Sequence, residues 1–196
     1  MKVVLKYATP DIERNIAECA SICYDSKVTK PEQLVKRLKH DSHFATFRFG
    51  SVVFEISEMS RAASMQMLRH KFLDFLQRSQ RYVKEFGFEY VTPPEIKDNP
   101  TARVEYNYLM REAELVYTRL VGWGIKAEDA RYVLPNACYT KMNVTGSIQA
   151  WWDFLYGDAG RLQPKAQWEI REFAQEIERQ LKIIAPTIFK GNNESN

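Results

Sequence analysis

Arg69-His70-Lys71, and then Ser79-Gln80-Arg81-Tyr82 beyond an intervening Phe72–Arg78, place five cations, counting His70 when protonated, within 13 residues beside hydroxyls and amides. Arg69, Lys71, Arg78 and Arg81 carry charge at neutral pH, and His70 joins them when protonated. Guanidinium forks match phosphate oxygens bidentately, so such a segment following a strand suits a phosphorylated ligand. Two further arginines extend the theme. Arg131 precedes a helix end closed by Pro135, and Arg161 follows Asp158-Ala159-Gly160 in a mobile connection between two helices. Taken singly, each is an ordinary solvated or salt-bridged arginine. Together they form a dianion pocket only if the fold makes them converge, which the sequence does not show.

Other side chains narrow the chemistry. Ser79 lacks a GxSxG elbow and an adjacent base, so it reads as a phosphate ligand or a cap and not as a hydrolase nucleophile. Gln66, Gln77 and Gln80 supply amides able to read a pyrimidine edge, unless they are simply exposed helix polars. No GxGxxG or P-loop is present, so a nucleotide must be held by another device. Cys19, Cys23 and Cys138 form no CxxC pair, and His40, His43 and His70 lack paired ligand spacing. No metal site is indicated; buried free thiols in a reducing cytoplasm are expected.

The elements that must position these groups follow from periodicity and punctuation. Lys2–Tyr7 is expected as a strand and Asp11–Tyr24 as a helix with Ile12, Ile16, Cys19, Ala20 and Cys23 at helical spacing. Thr29-Lys30-Pro31-Glu32 is a capping-box pattern opening a helix to Lys39. Alternation from Phe47 to Glu58 predicts a strand, followed by a helix over Ser60–Lys71. Lys84–Asn99, broken by glycine and prolines, is a connecting excursion containing one strand at most. A long helix starts at Pro100, with Leu109, Ala113, Val116 and Leu120 as its apolar stripe. Shorter helices are expected over Ala127–Leu134 and Ser147–Tyr156. The last begins at Pro164, presents Ile170, Phe173, Ile177, Leu181 and Ile184, and stops at Pro186. The whole predicts a helix-rich α+β fold, a single domain over residues 1–189 with a small sheet packed by helices and a polar tail over 190–196.

Composition excludes several classes. A net charge of +3 on 196 residues, with both signs interleaved, gives no footprint for nucleic acid, so any positive field is local. No apolar run approaches a membrane span and no signal peptide opens the chain, so a cytoplasmic protein is expected. Trp151, Trp152 and Trp168 read as core or subunit packing.

Three blocks carry a family resemblance. Arg69-His70, Ser79 and Arg81-Tyr82 are in the register of the signature of the flavin-dependent thymidylate synthases, and the chain resembles that family. Ala130-Arg131-Tyr132-Val133-Leu134-Pro135 with Tyr139-Thr140 is a second match; Arg161 with Ala166-Gln167-Trp168-Glu169-Ile170-Arg171 is a third, in the same order. The resemblance implies a homotetramer with FAD bound where subunits meet. It implies reductive methylation of dUMP to dTMP, with methylenetetrahydrofolate as carbon donor and NADPH as reductant. It further implies that Gln66, Arg69, Gln77, Ser79, Gln80, Arg81 and Arg131 bind dUMP. Arg161 would contact the pyrimidine as the catalytic cation, and Arg69, His70 and Lys71 would contact the flavin.

The same resemblance assigns Thr46, Gln77, Ser147, Gln149 and Asp153 to the cofactor, and it exposes departures. Lys71 stands for the usual arginine, and Asp74, Leu76 and Gln77 for a usual serine, asparagine and glutamate. Ser147, Gln149 and Asp153 replace asparagine, arginine and asparagine or histidine, while Arg48 or its neighbour replaces an early acidic residue. The alternatives are a related C5-methylase or hydroxymethylase of UMP or dCMP, and a non-catalytic nucleotide-binding relative.

Overall fold

Residues 1–191 are described by a computed structural model; from Asn192 onward the polar tail expected from the sequence lies outside the described residues. In chain order the strands and helices are β1 (Lys2–Ala8), α1 (Ile12–Ser21), α2 (Pro31–His40), β2 (Ser51–Ser60), α3 (Arg61–Met67), β3 (Leu73–Gln77), α4 (Pro94–Asp98), α5 (Pro100–Gly122), α6 (Ala127–Ala130), β4 (Tyr139–Ser147), α7 (Ile148–Tyr156), α8 (Trp168–Ile184) and α9 (Pro186–Phe189). Short 3-10 turns cover Ile22–Tyr24, Phe44–Phe49 and Arg131–Val133. The strands form one four-stranded antiparallel sheet in the order β1-β2-β4-β3. The fold is therefore helix-rich α+β, as its patterning predicts. No helix among the described residues is long and apolar enough to cross a membrane.

The residues gather into two compact units. One comprises Val3–Glu55, Met67–Phe75 and the chain from Asn143 on. Its core collects the apolar faces of α1, α2, α7 and α8: Ile16, Leu38, Phe47, Trp151, Phe154, Phe173 and Phe189 are all buried. Trp151 stacks edge-on against Phe54 at 5.1 Å and donates its indole N–H to the Val52 carbonyl at 3.2 Å, so the largest core side chain leaves no polar atom stranded. Glu13 is buried in the same unit, where its carboxylate accepts from the Thr187 backbone N–H (2.6 Å), the Thr187 hydroxyl (2.7 Å) and the Ile188 N–H (3.1 Å). It satisfies the first donors of α9. Glu13→Ala should cost about 1–3 kcal/mol by taking away the acceptor of the Thr187 N–H and hydroxyl, a loss measurable by urea denaturation.

The other unit comprises Met1–Lys2, Ile56–Gln66 and Leu76–Met142. Here α5 buries Met110 and Tyr117, whereas Leu109 is 58% exposed. The expected stripe holds in part, Ala113, Val116 and Leu120 being half-buried, and tyrosines anchor the helix beside it. Tyr117 accepts from the Glu85 backbone N–H at 3.1 Å, and Tyr106 donates to the Val91 carbonyl at 2.6 Å.

Other expectations are corrected locally. The run Phe47–Glu58 is 3-10 up to Phe49 and becomes strand only at Ser51. The capping box is not formed: Pro31 takes the first helical position, Lys30 is the N-cap, and no side chain caps it. The helix after β2 ends at Met67, leaving His70 and Lys71 in a turn. Helix α8 starts at Trp168, where the Gln167 side chain caps the N–H groups of Glu169 and Ile170. Lys84–Asn99 contains α4 and a single bridge, Tyr90 to Cys138, in place of a strand. Of the three thiols only Cys138 is buried, Cys23 being exposed and Cys19 intermediate.

Candidate active site

The first unit holds Arg69, His70, Lys71 and Arg161. Helix α7 ends at Gly157, and Gly157 and Gly160 fold the next residues back onto its last turn. A Cβ at Gly157 would lie 2.7 Å from the Asp153 carbonyl, and one at Gly160 2.6 Å from the Leu155 carbonyl. Only glycine permits that approach. The Arg161 N–H donates to the Phe154 carbonyl at 2.8 Å, and the Gln163 amide donates to the carbonyls of Gly157 (2.9 Å) and Asp158 (3.2 Å). The connection expected to be mobile is thus pinned, and Arg161 is aimed.

Its target is His70. Arg161 Nε–H donates to His70 Nε2 at 2.8 Å, and the imidazole stands edge-on to Phe154 at 4.8 Å. Because Nε2 accepts, the imidazole is neutral and carries its proton on Nδ1. Burial, and secondarily the Arg161 charge, pull the His70 pKa down to about 4. Burial, then the like charge of Arg69, lowers that of Arg161. A histidine depressed in the folded state stabilises the fold fully above its unfolded value near 6.5, and that contribution is lost as pH falls through about 4. Urea midpoints across this window should fall on acidification in the parent and more shallowly in His70→Asn.

A groove of about 570 Å³ in the same unit is lined by Arg48, Ser51, Lys71, Phe72, Asp74, Thr145, Gly146, Ser147, Gln149, Ala150 and Asp153. It brings together Lys71, Ser147, Gln149 and Asp153 from the sequence-derived set. Ser147 caps α7 by accepting from the Ala150 N–H at 3.2 Å, and Arg48 Nε–H donates to Gln149 Oε1 at 2.6 Å. Burial raises the Asp153 carboxyl, opposed by the charge of Arg48. Thr46 is not in this groove. Its hydroxyl donates to the His43 carbonyl at 2.8 Å, and it lines a separate, mostly apolar cavity with Cys23, Tyr24 and Phe44.

The second unit holds the other candidates. Gln77, at the end of β3, donates through Nε2 to the hydroxyls of Ser64 (2.9 Å) and Thr140 (3.1 Å), which leaves Oε1 as its acceptor. The Ser79 hydroxyl accepts from the Arg81 N–H at 3.2 Å and so shapes the turn. Gln80 is buried, with its amide nitrogen lacking any hydrogen-bond partner. Gln66 is half-buried near the end of α3. Arg81 pairs with the Glu128 carboxylate at 3.2 Å, and Arg131 Nε–H donates to the Glu128 carbonyl at 3.1 Å, so one residue links the two arginines. Each guanidinium also overlies the tyrosine next to it, Tyr82 and Tyr132.

Sequence reasoning missed Glu128 and Arg61. Arg61 opens α3, and its pKa is lowered by burial, with Glu85 opposing and Arg131 reinforcing the shift. The Glu128–Arg131 spacing of one helical turn was a usable signal for the first. Nothing local marks the second.

Comparison with known proteins gives these features a context. Residues 4–187 match the family model described as Thymidylate synthase complementing protein. The chain is 35% identical to the flavin-dependent thymidylate synthase of Geobacter sulfurreducens, over 97% of its own length and 86% of that protein. It is 32% identical to the enzyme of the same name from Clostridium tetani, over 100% of its length and 88% of the relative. To that of Saccharolobus solfataricus it is 37% identical over 70% of the chain and 52% of the relative. The chain therefore belongs to the thymidylate synthase complementing protein family.

Proposed function

We propose that the protein is a flavin-dependent thymidylate synthase that methylates dUMP reductively to dTMP. Methylenetetrahydrofolate serves as carbon donor and NADPH as reductant, in a cytoplasmic homotetramer whose chains each act as one catalytic domain over residues 1–189. The observation that carries the reading is Arg161, a part-desolvated guanidinium fixed by a glycine-folded loop and by neutral His70. A cation held in this way stabilises negative charge developing on a pyrimidine ring without reorganising during the reaction. Arg69 adds like charge beside it and strengthens the attraction for an anionic base.

Ser79, Arg81 and Arg131 take the phosphate. Arg81 exchanges the Glu128 carboxylate for it, and Gln77 Oε1 accepts from a base N–H. Gln66 and Gln80 complete the nucleotide contacts. Glu128→Gln should therefore tighten dUMP by a factor of about two to five, the worth of an exposed ion pair no longer competing, as read by calorimetry.

The groove's residues fit a flavin. Arg48 and Lys71 supply cations, and Ser147 and Gln149 supply a hydroxyl and an amide within a concave volume suited to part of a dinucleotide. When bound, FAD supplies hydride-carrying capacity that side chains lack. The test is absorbance of the purified protein titrated with FAD and then dUMP, followed by dUMP- and folate-dependent NADPH oxidation. A protein that takes up no flavin and oxidises no NADPH overturns the proposal.

Gln77 accommodates a second reading, dCMP as substrate, equally well. Its free acceptor pairs as well with the cytosine amino group as with the uracil N3–H. Thermal-shift ranking of dUMP, UMP and dCMP separates the two.

A further inference from the structure

Arg48 lies in the 3-10 turn Phe44–Phe49 and lines the groove opposite no ion-pair partner. Its Nε–H is spent on Gln149 Oε1 at 2.6 Å, which fixes the plane of the guanidinium. Its two terminal nitrogens have no hydrogen-bond partner among the described residues. A planar fork anchored through Nε, with its paired N–H groups open to a cavity, is the arrangement that receives a tetrahedral oxyanion.

The other charged groups facing the groove are Lys71, Asp74 and Asp153. Neither carboxylate is within ion-pair distance of Arg48, and burial drives Asp153 towards its neutral form. Lys71 is exposed and has no partner among the described residues, so two uncommitted cations face the same space.

Resting on the function proposed above, we propose that Arg48 is the groove's phosphate contact, gripping the phosphate of a flavin nucleotide while Gln149 holds it in orientation. Nothing in the sequence signature marks Arg48 for this role; its placement against Gln149 does.

The test measures flavin binding directly, by fluorescence quenching or equilibrium dialysis of the full-length protein, and not turnover. FAD, FMN and riboflavin are compared on the parent, Arg48→Gln, Arg48→Lys and the exchange pair Arg48→Gln/Gln149→Arg. The expected result is that Arg48→Gln weakens FAD and FMN by about 10- to 100-fold, the range of a lost charged hydrogen-bonding contact, and leaves riboflavin unchanged. Arg48→Lys restores part of the loss. The exchange pair restores more, since it keeps both the hydrogen bond and the cation.

Unchanged FAD affinity in Arg48→Gln overturns the inference, and so does an equal loss for riboflavin, which would make Arg48 a shape element. Loss of NADPH binding with FAD retained assigns the fork to the reductant and also overturns it. A parent protein that binds none of the three flavins removes the functional reading itself. Thermal midpoints within about 2 °C of the parent show that the variants are folded.

Discussion

Arg161→Ala is expected to reduce kcat by about 10²- to 10³-fold, the effect of removing one preorganised donor from developing negative charge. Folding should barely change. The arginine is in a loop and its hydrophobic contribution is small, so the thermal midpoint should move by no more than about 1–2 °C. Arg161→Lys is the sharper variant. It keeps a cation but loses the Nε–H that His70 accepts, so it should retain the charge and lose the aim. Steady-state kinetics with dUMP, with flavin content measured on the same samples, checks both. A variant with normal kcat would remove Arg161 from the chemistry.

Glu85→Ala should be the most damaging polar substitution for stability, at about 2–4 kcal/mol. Glu85 is 4% exposed and meets Arg78 at 3.0 Å, with Arg61 nearby. Removing one member of such a pair leaves the others without compensation. The loss falls short of the fully buried case because the Arg78 side chain is 39% exposed and can turn to solvent. Burial outweighs both arginines and raises the Glu85 carboxyl above its usual range. The proton-linked part of its contribution is therefore complete below the unfolded value near 4.5 and is lost as pH rises through the folded one, so the cost of Glu85→Ala at neutral pH comes from the arginines it leaves unpaired. Glu85→Gln, neutral and of similar shape, should cost much less than Glu85→Ala at neutral pH. Urea denaturation of the two variants side by side checks the difference.

What the sequence made legible was the chemistry carried at fixed local spacing. Arg69-His70-Lys71 and the Ser79–Tyr82 stretch announce themselves because their side chains are charged and adjacent. Helices α7 and α8 are legible for a similar reason: Gly157 and Pro186 punctuate them, and Phe173, Ile177 and Leu181 recur at helical spacing. The pairing of His70 with Arg161 was not legible, since nothing near either residue signals a partner 91 positions away. Strand β4 was missed because its inward positions include Thr140 and Gly146 with Met142 and Val144, which blurs the apolar alternation. Helix α5 departs from its expected stripe at Leu109, which is exposed while Ala113, Val116 and Leu120 are half-buried, because Tyr117 takes the core position with its hydroxyl tied to the Glu85 backbone. The hydrogen bond from the Thr46 hydroxyl to the His43 carbonyl within its own turn was likewise not legible.

The uneven burial of the thiols has a practical consequence for alkylating reagents. The Cys138 thiol is pushed up to about 12, by burial first and by Glu85 second. At pH 8 it would present a thiolate fraction of only about 10⁻⁴ even if a reagent reached it. Iodoacetamide should therefore modify exposed Cys23 quickly and leave Cys138 untouched in the native protein. Slow modification of Cys138 then measures how often its surroundings open. The cysteine that does no chemistry becomes a clock for local unfolding, readable by mass spectrometry without any engineered label.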